Sequence, residues 1–195
     1  SLRLTVWFWQ LLCGVAFLVV AVLLDRWAGP DPGRRARVAV LWTLNPLLLG
    51  QVVLGAHVDV LAVMLGLAAL ILATRHAPAV GGSSATRGVP PLQRFLITGP
   101  LPAGVLIGAA ASTKITYALF GLAAVWGLRR LPGRHAVAAV LTGGLGALAV
   151  LVSAHLWAGP HVFDQLRTAS RFTSLATPWR GLANLGDLLF GQGTL

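Results

Sequence analysis

The stretch Val38–Arg75, VAVLWTLNPLLLGQVVLGAHVDVLAVMLGLAALILATR, decides the fold. It holds one apolar run over 38–54 and a second over 60–73, each near the ~17 residues at the short end of what crosses a bilayer as a helix. Two such crossings in succession must turn between them. His57 and Asp59 are the polar residues available for that turn. The stretch therefore predicts a membrane hairpin whose turn carries an imidazole and a carboxylate.

The composition is that of an integral membrane protein. The 195 residues are 56% hydrophobic and 10% charged, with a mean hydropathy of +0.80, whereas a soluble domain carries about 25% charged residues. The net charge of +10 does not indicate a nucleic-acid partner, because the arginines cluster between the apolar runs, as membrane topology requires. We predict an all-α, polytopic transmembrane helix bundle with about four to six membrane segments. We expect residues 1–195 to form a single membrane domain, a fragment of a longer polytopic protein.

The arginines set the predicted orientation. The first crossing is predicted over Leu4–Leu24, and a polar loop over 25–37 follows it. Four arginines in so short a loop mark it as cytoplasmic under the positive-inside rule. The turn with His57 and Asp59 then lies on the outer face. The last crossing is predicted over Ala136–Trp157.

The segment Pro102–Leu128 allows two interpretations. It is either one long helix with Lys114 at the bilayer centre, or a hairpin of two short helices with Lys114 at an outer turn. The hairpin is favoured, because an ammonium at the bilayer centre costs roughly 2.5–3.5 kcal/mol on insertion scales. Length also favours it, since about twenty residues suffice for one crossing.

Proline and glycine indicate structural roles elsewhere in the crossings. Asn45-Pro46 predicts a kink or break in the second crossing, with Asn45 bonding a carbonyl that the proline leaves free. Gly104 and Gly108, four residues apart, predict a small face for close helix packing. A second small face is predicted in the last crossing from Gly143, Gly144, Gly146 and Ala147.

The predicted outer face gathers the candidate site, which combines two acid–base residues with four cations: Asp59, His57, Lys114, Arg167, Arg171 and Arg180. The cations suit a lipid phosphate, and a carboxylate or imidazole can take a proton from an acceptor hydroxyl. We predict the first two as catalytic and the cations as ligands of the donor phosphate. The spacing of a metal site is absent from the sequence, so no metal and no cofactor is expected. A structural role for Asp59 stays open, because a carboxylate at a helix start complements the helix dipole.

These residues resemble the multi-membrane-spanning glycosyltransferases of the C superfamily. The resemblance rests on Asn45-Pro46, on Gly55-Ala56-His57-Val58-Asp59, and on Ala103–Gly108 leading to Lys114. It is greatest to the polyprenol-phosphomannose-dependent α-1,6-mannosyltransferases of actinobacterial lipomannan synthesis. That resemblance implies a bacterial plasma-membrane enzyme that takes mannose from a polyprenyl phosphate donor, not from a nucleotide sugar, and delivers it to a mannan or glycolipid acceptor. Membrane lipids are its other partners.

One departure from that family concerns the base. The family's acidic catalytic residue is expected in a first outer loop that precedes Ser1, so Asp59 would be a second carboxylate of the site. Two other classes stay open. A transporter or channel segment would use Asp59 and Lys114 as an intramembrane pair, and a membrane scaffold would leave the outer polar residues solvated.

Overall fold

The computed structural model describes residues 2–75, 96, 98–129 and 131–159, and every regular element within these ranges is helical. Three helical stretches are long and apolar enough to cross a membrane, Leu2–Ala28, Pro32–Leu54 and Gly133–Ala158, and shorter apolar helices accompany them. The predicted all-α membrane bundle is therefore confirmed. The backbone forms two compact units, Ser1–Ser153 and Ala154–Leu195. The contacts described below lie within the first unit, and a single membrane domain stays a prediction.

The first helix is longer than predicted and the loop after it is shorter. Helix α1 spans Leu2–Ala28 and helix α2 spans Pro32–Val38. Asp31 caps α2, because its carboxylate accepts the backbone N–H groups of Gly33 at 2.8 Å and Arg34 at 3.2 Å. Proline at the first helical position suits this start, since its missing N–H would have no partner there. The prediction of a polar loop over 25–37 is thus wrong in extent, because both flanks are helical.

The second crossing is a chain of short helical pieces. A π-helical turn, Ala39–Thr43, precedes the short helix α3 at Pro46–Leu48, and a second π-helical turn covers Leu49–Leu54. Asn45 joins the pieces: its amide nitrogen donates to the carbonyl of Leu41 at 3.3 Å. Its side-chain oxygen accepts the N–H of Leu47 at 3.0 Å. The predicted break, with Asn45 bonding a freed carbonyl, is confirmed.

Aromatic packing holds α1 against the second crossing. The rings of Phe17 and Trp42 stack with centroids 5.3 Å apart. The indole N–H of Trp42 donates to the carbonyl of Phe17 at 3.1 Å, which satisfies its polar atom inside an apolar contact. Farther along α1, Val20 is fully buried against Leu67 and Ile71 of helix α4, which spans Asp59–Arg75.

The predicted hairpin around Lys114 is confirmed. Helix α5 spans Pro100–Thr113, a 3₁₀ turn covers Ile115–Ala118, and helix α6 spans Leu119–Leu128. Lys114 lies between them in extended backbone, with φ −162° and ψ 124°. The two helices are antiparallel and in contact. A Cβ at Gly121 of α6 would lie 3.5 Å from Ile107 of α5, and each of these residues is seven positions from Lys114. The hairpin begins two residues earlier than predicted.

The last described helix, α7, spans Gly133–Ala158 and packs parallel to α5 through glycine. A Cβ at Gly104 would overlap the carbonyl of Gly143, and one at Gly108 would overlap the backbone of Ala147. The backbones therefore approach closely, which is the role predicted for the small faces. Gly144 is the exception, because a Cβ there would meet no atom within 4 Å.

Candidate functional site

A tight turn between the second crossing and α4 carries His57. Ala56 adopts a left-handed conformation with φ 51°, which costs a residue with a Cβ on the order of 1–3 kcal/mol. Helix α1 holds this turn from the side. The Gln10 amide donates to the carbonyl of Leu54 at 3.1 Å, and the Cys13 thiol lies 3.6 Å from the carbonyl of His57 that it faces. The position of His57 is thus set by α1 as well as by its own turn.

Asp59 is the first residue of α4, and its carboxylate lies between the imidazole of His57 and the ammonium of Lys114. One oxygen is 3.8 Å from Nδ1 of His57, and the other is 3.7 Å from Nζ of Lys114. Lys114 and Asp59 form an ion pair without a short hydrogen bond, and the imidazole of His57 is likewise too far from the carboxylate for a short one. The side chains are also open to solvent, with 58% of His57, 38% of Asp59 and 57% of Lys114 exposed. The arrangement brings together three of the six predicted site residues.

Lys114 reaches this cluster because α5 ends just before it. The Ser112 hydroxyl donates to the carbonyl of Gly108 at 2.8 Å, and the Thr113 hydroxyl donates to that of Ala110 at 2.6 Å. Side chains that bond back onto the preceding turn compete with helix continuation. The sequence left two interpretations, one long helix with Lys114 at the bilayer centre or a hairpin with Lys114 at its turn. The structure shows the hairpin, with Lys114 at the turn and paired with Asp59.

Tyr117 completes the cluster, and sequence reasoning missed it. Its hydroxyl lies near the Asp59 carboxylate and interacts with that charge. The 3₁₀ turn explains the placement, because residues three apart lie on one side of such a turn and Tyr117 follows Lys114 by three. The available signal was the chain's only tyrosine, three residues after its only lysine. We call Asp59, His57, Lys114 and Tyr117 the turn-end cluster.

The remaining predicted cations, Arg167, Arg171 and Arg180, lie outside the residues that the structure describes. Within the described ranges, no three His, Cys, Asp or Glu side chains come together as a metal-ligand group would.

The opposite end of the bundle carries a different arrangement. There Arg35 donates two hydrogen bonds to the two oxygens of Asp25, at 2.7 and 2.8 Å. At the far end of α6 the guanidinium of Arg129 lies 4.0 Å from the ring centre of Trp126. We call the residues of this side, including Arg34 of α2, the arginine end.

Comparison with protein families matches residues 1–130, about two thirds of the chain, to the family described as alpha-(1->6)-mannopyranosyltransferase, N-terminal domain (MptA_B family). The chain belongs to this family. The matched residues include the whole turn-end cluster and both arms of the α5–α6 hairpin. No curated protein matches the chain, and no solved structure does. Membership in the mannopyranosyltransferase family and the apolar helices identify a membrane protein of a glycosyltransferase class.

Proposed function

We propose that the chain is part of a membrane mannosyltransferase that takes mannose from a polyprenyl phosphate donor and transfers it to a lipid-linked mannan or glycolipid acceptor. The observation that carries this is the turn-end cluster. It places a solvent-open ammonium, an imidazole and a carboxylate together at the end of a membrane bundle. A lipid phosphate presents its charge at that level, where the hydrocarbon region ends.

The ammonium of Lys114 holds the donor phosphate in this proposal. No short hydrogen bond ties it to Asp59, since the two are 3.7 Å apart, and more than half of the side chain is exposed. It can therefore turn toward an anion at little cost. Arg167, Arg171 and Arg180 are proposed as further cations for the same phosphate, because arginine binds phosphate oxygens in pairs.

The proton of the transfer step is assigned here to the carboxylate of Asp59. The family resemblance makes Asp59 a second carboxylate of the site, but among the described residues it is the one that lies beside Lys114. The acceptor hydroxyl oxygen bonds to the anomeric carbon of mannose, the bond from that carbon to the phosphate oxygen breaks, and the polyprenyl phosphate leaves with the electron pair. A positioned carboxylate accelerates such a step by accepting the hydroxyl proton as the new bond forms. His57, 3.8 Å away, and Tyr117 hold this carboxylate in place.

The turn-end cluster is proposed to face the outside of a bacterial plasma membrane. The arginine end lies at the other side of the bundle, and loops rich in arginine stay in the cytoplasm. Donor and acceptor would then meet on the outer face, where nucleotide sugars are absent.

Membrane vesicles that contain the full-length protein test the proposal. Labelled mannose should pass from polyprenyl phosphomannose to an endogenous mannan or glycolipid, and should not pass from a nucleotide-linked mannose. Vesicles with the Lys114→Ala protein are the matched control and should transfer much less. Solute flux without sugar transfer would contradict the proposal and support a transporter.

A further inference from the structure

An apolar groove begins at the turn-end cluster and runs down between α4 and α6. It has a volume of about 470 Å³ and is lined by Leu70, Thr116, Tyr117, Leu119, Phe120 and Ala123. We call it the α4–α6 groove. Its upper wall is aromatic, because the rings of Tyr117 and Phe120 stack with centroids 6.2 Å apart and an interplanar angle of 12°.

The floor of the groove depends on the absence of a side chain on α4. The ring of Phe120 lies against Gly66, where a Cβ would overlap it. Phe120 therefore packs close to the α4 backbone and lines the groove from that position. Leu119, on the same helix, stays 65% exposed.

The depth of the groove fits a hydrocarbon chain. Leu70 follows Asp59 by eleven residues, which is about 16 Å along a helix at 1.5 Å per residue. The hydrocarbon core of a bilayer is about 30 Å thick. The groove thus extends from the level of the charged cluster to about the middle of the membrane.

Tyr117 belongs to both the groove and the cluster, so the two are continuous. Its ring forms part of the groove wall, and its hydroxyl lies near the Asp59 carboxylate, which pairs with Lys114 at 3.7 Å. A ligand with a phosphate on Lys114 and an apolar chain attached directly to that phosphate would have its chain at the mouth of the groove. Charge complementarity at the mouth and apolar walls below it together select an amphiphilic phosphate.

We propose that the α4–α6 groove holds the first isoprene units of the polyprenyl chain of the donor, and that it selects donors by chain length. This rests on the proposed function, since it uses the same phosphate position. The polyprenyl chain is stabilised in the groove by close van der Waals packing. The hydrophobic effect does not favour the groove over the bilayer, because lipid tails are as apolar as the groove walls.

A second apolar cavity does not share this link. It has a volume of about 110 Å³ and lies between α5, α6 and α7, with small residues such as Ala103, Gly104 and Gly143 in its wall. No residue of the turn-end cluster lines it. An apolar cavity alone therefore does not indicate a site for the donor, and the contact with the turn-end cluster is what distinguishes the α4–α6 groove.

Chain-length preference in the full-length protein tests the inference. Transfer is measured from two donors, a long polyprenyl phosphomannose and a phosphomannose with a single isoprene unit. The wild type should show a lower KM for the long donor. Ala123→Trp fills the groove and should raise the KM for the long donor roughly tenfold, the effect of overfilling a packed site, with little change for the short donor.

Leu122→Trp is the matched control, because residue 122 adjoins Ala123 on α6, is 68% exposed and does not line the groove. It should keep the wild-type preference. The inference would be overturned if Ala123→Trp changed the KM for both donors equally, or if it left the preference for the long donor as in the wild type. A wild type that transfers from neither donor would instead contradict the proposed function.

Photo-crosslinking of the wild-type protein keeps the test independent of how the variants fold. The probe is a prenyl monophosphate with a diazirine in its first isoprene unit. Adducts should map to 116–123 and to the neighbourhood of Leu70, and excess prenyl phosphate should remove them. Adducts confined to α1 or α7, or adducts that prenyl phosphate does not compete for, would show that a bilayer lipid or another part of the chain fills the groove.

Discussion

Asp25 at the arginine end and Asp59 at the turn end both pair with cations, but the two pairs are built differently. Asp25 receives a fork of two short hydrogen bonds from Arg35, at 2.7 and 2.8 Å. Asp59 lies between His57 and Lys114 at 3.8 and 3.7 Å, with neither close enough for a short bond. A closed fork uses the hydrogen-bonding capacity of both partners. The open cluster keeps its capacity for a ligand.

Stability alone does not explain why the second arrangement exists. All the side chains concerned are more than a third exposed, and exposed ion pairs contribute about 0–1 kcal/mol. The ion pairs at either end therefore add little to the free energy of unfolding. The short, two-bonded Asp25–Arg35 contact is typical of a structural pair, whereas the longer contacts of Asp59 leave its partners able to bind a ligand. The experiments below test this distinction.

The sharpest test concerns the sides of the membrane on which the two ends lie. Cysteine at Val58, which is 44% exposed, should react with a membrane-impermeant thiol reagent added to intact cells, in an all-or-none manner. Cysteine at Arg34, at the arginine end, should react only after permeabilisation. The native Cys13 is fully buried and supplies a low background. The reverse labelling pattern would invert the topology and remove the outer-face assignment.

Neutralising the two aspartates should separate their roles. Asp59→Asn should lower kcat about a hundredfold, because a lost proton acceptor costs at least that much. Asp25→Asn should leave transfer unchanged and lower the free energy of unfolding by about 1 kcal/mol or less. Vesicle transfer assays and thermal unfolding in detergent measure the two effects. Full activity in Asp59→Asn would make Asp59 a helix-start residue only, since asparagine also serves there.

Lys114→Ala should weaken donor use by roughly 10- to 100-fold in kcat/KM, because a charge-assisted bond to phosphate contributes about 1.5–3 kcal/mol. The KM for the lipid donor should rise more than that for the acceptor, and Lys114→Arg should recover part of the loss. Stability should change little, because the pair with Asp59 is exposed. A Lys114→Ala, Asp59→Ala double variant more stable than either single variant would instead assign the pair to the fold.

The smallest expected effect belongs to Tyr117. Tyr117→Phe keeps the ring that stacks on Phe120 and removes the hydroxyl that lies near the Asp59 carboxylate. A neutral hydrogen bond contributes about 0.5–1.5 kcal/mol, so kcat should fall roughly two- to tenfold while KM for the donor holds. Steady-state kinetics with a saturating acceptor measure this. A change in KM alone would place the hydroxyl on the donor instead of on the carboxylate.

The crossings were predictable because their signals are local. Apolar length, the proline at position 46 and the glycines of α5 each act through neighbouring backbone, so the sequence predicted the break at Asn45 and the hairpin around Lys114. The cap formed by Asp31 and Pro32 was also local, and its signal was present in the sequence. The charged residues around it led to the wrong prediction of a longer loop.

The site was predictable only in part because its contacts are distant in sequence. Topology placed Asp59 and Lys114 on one face, 55 residues apart, but it does not give the 3.7 Å between them. Tyr117 escaped because a lone aromatic beside an apolar segment is typical of a membrane interface. The contacts of Gln10 and Cys13 with the carbonyls of Leu54 and His57 depend on how α1 packs against the turn. No local sequence pattern predicts that packing.

The backbone contact between α5 and α7 limits how this sequence can drift over generations. A change from Gly104 to alanine would drive a carbon into the carbonyl of Gly143, and no flexible side chain is there to give way. Because the obstacle is a backbone carbonyl, no change of the side chain at position 143 can remove it, and an alanine at position 104 requires α7 to move away. Any variant with a side chain at position 104 should therefore be less stable than this chain unless α5 and α7 move apart.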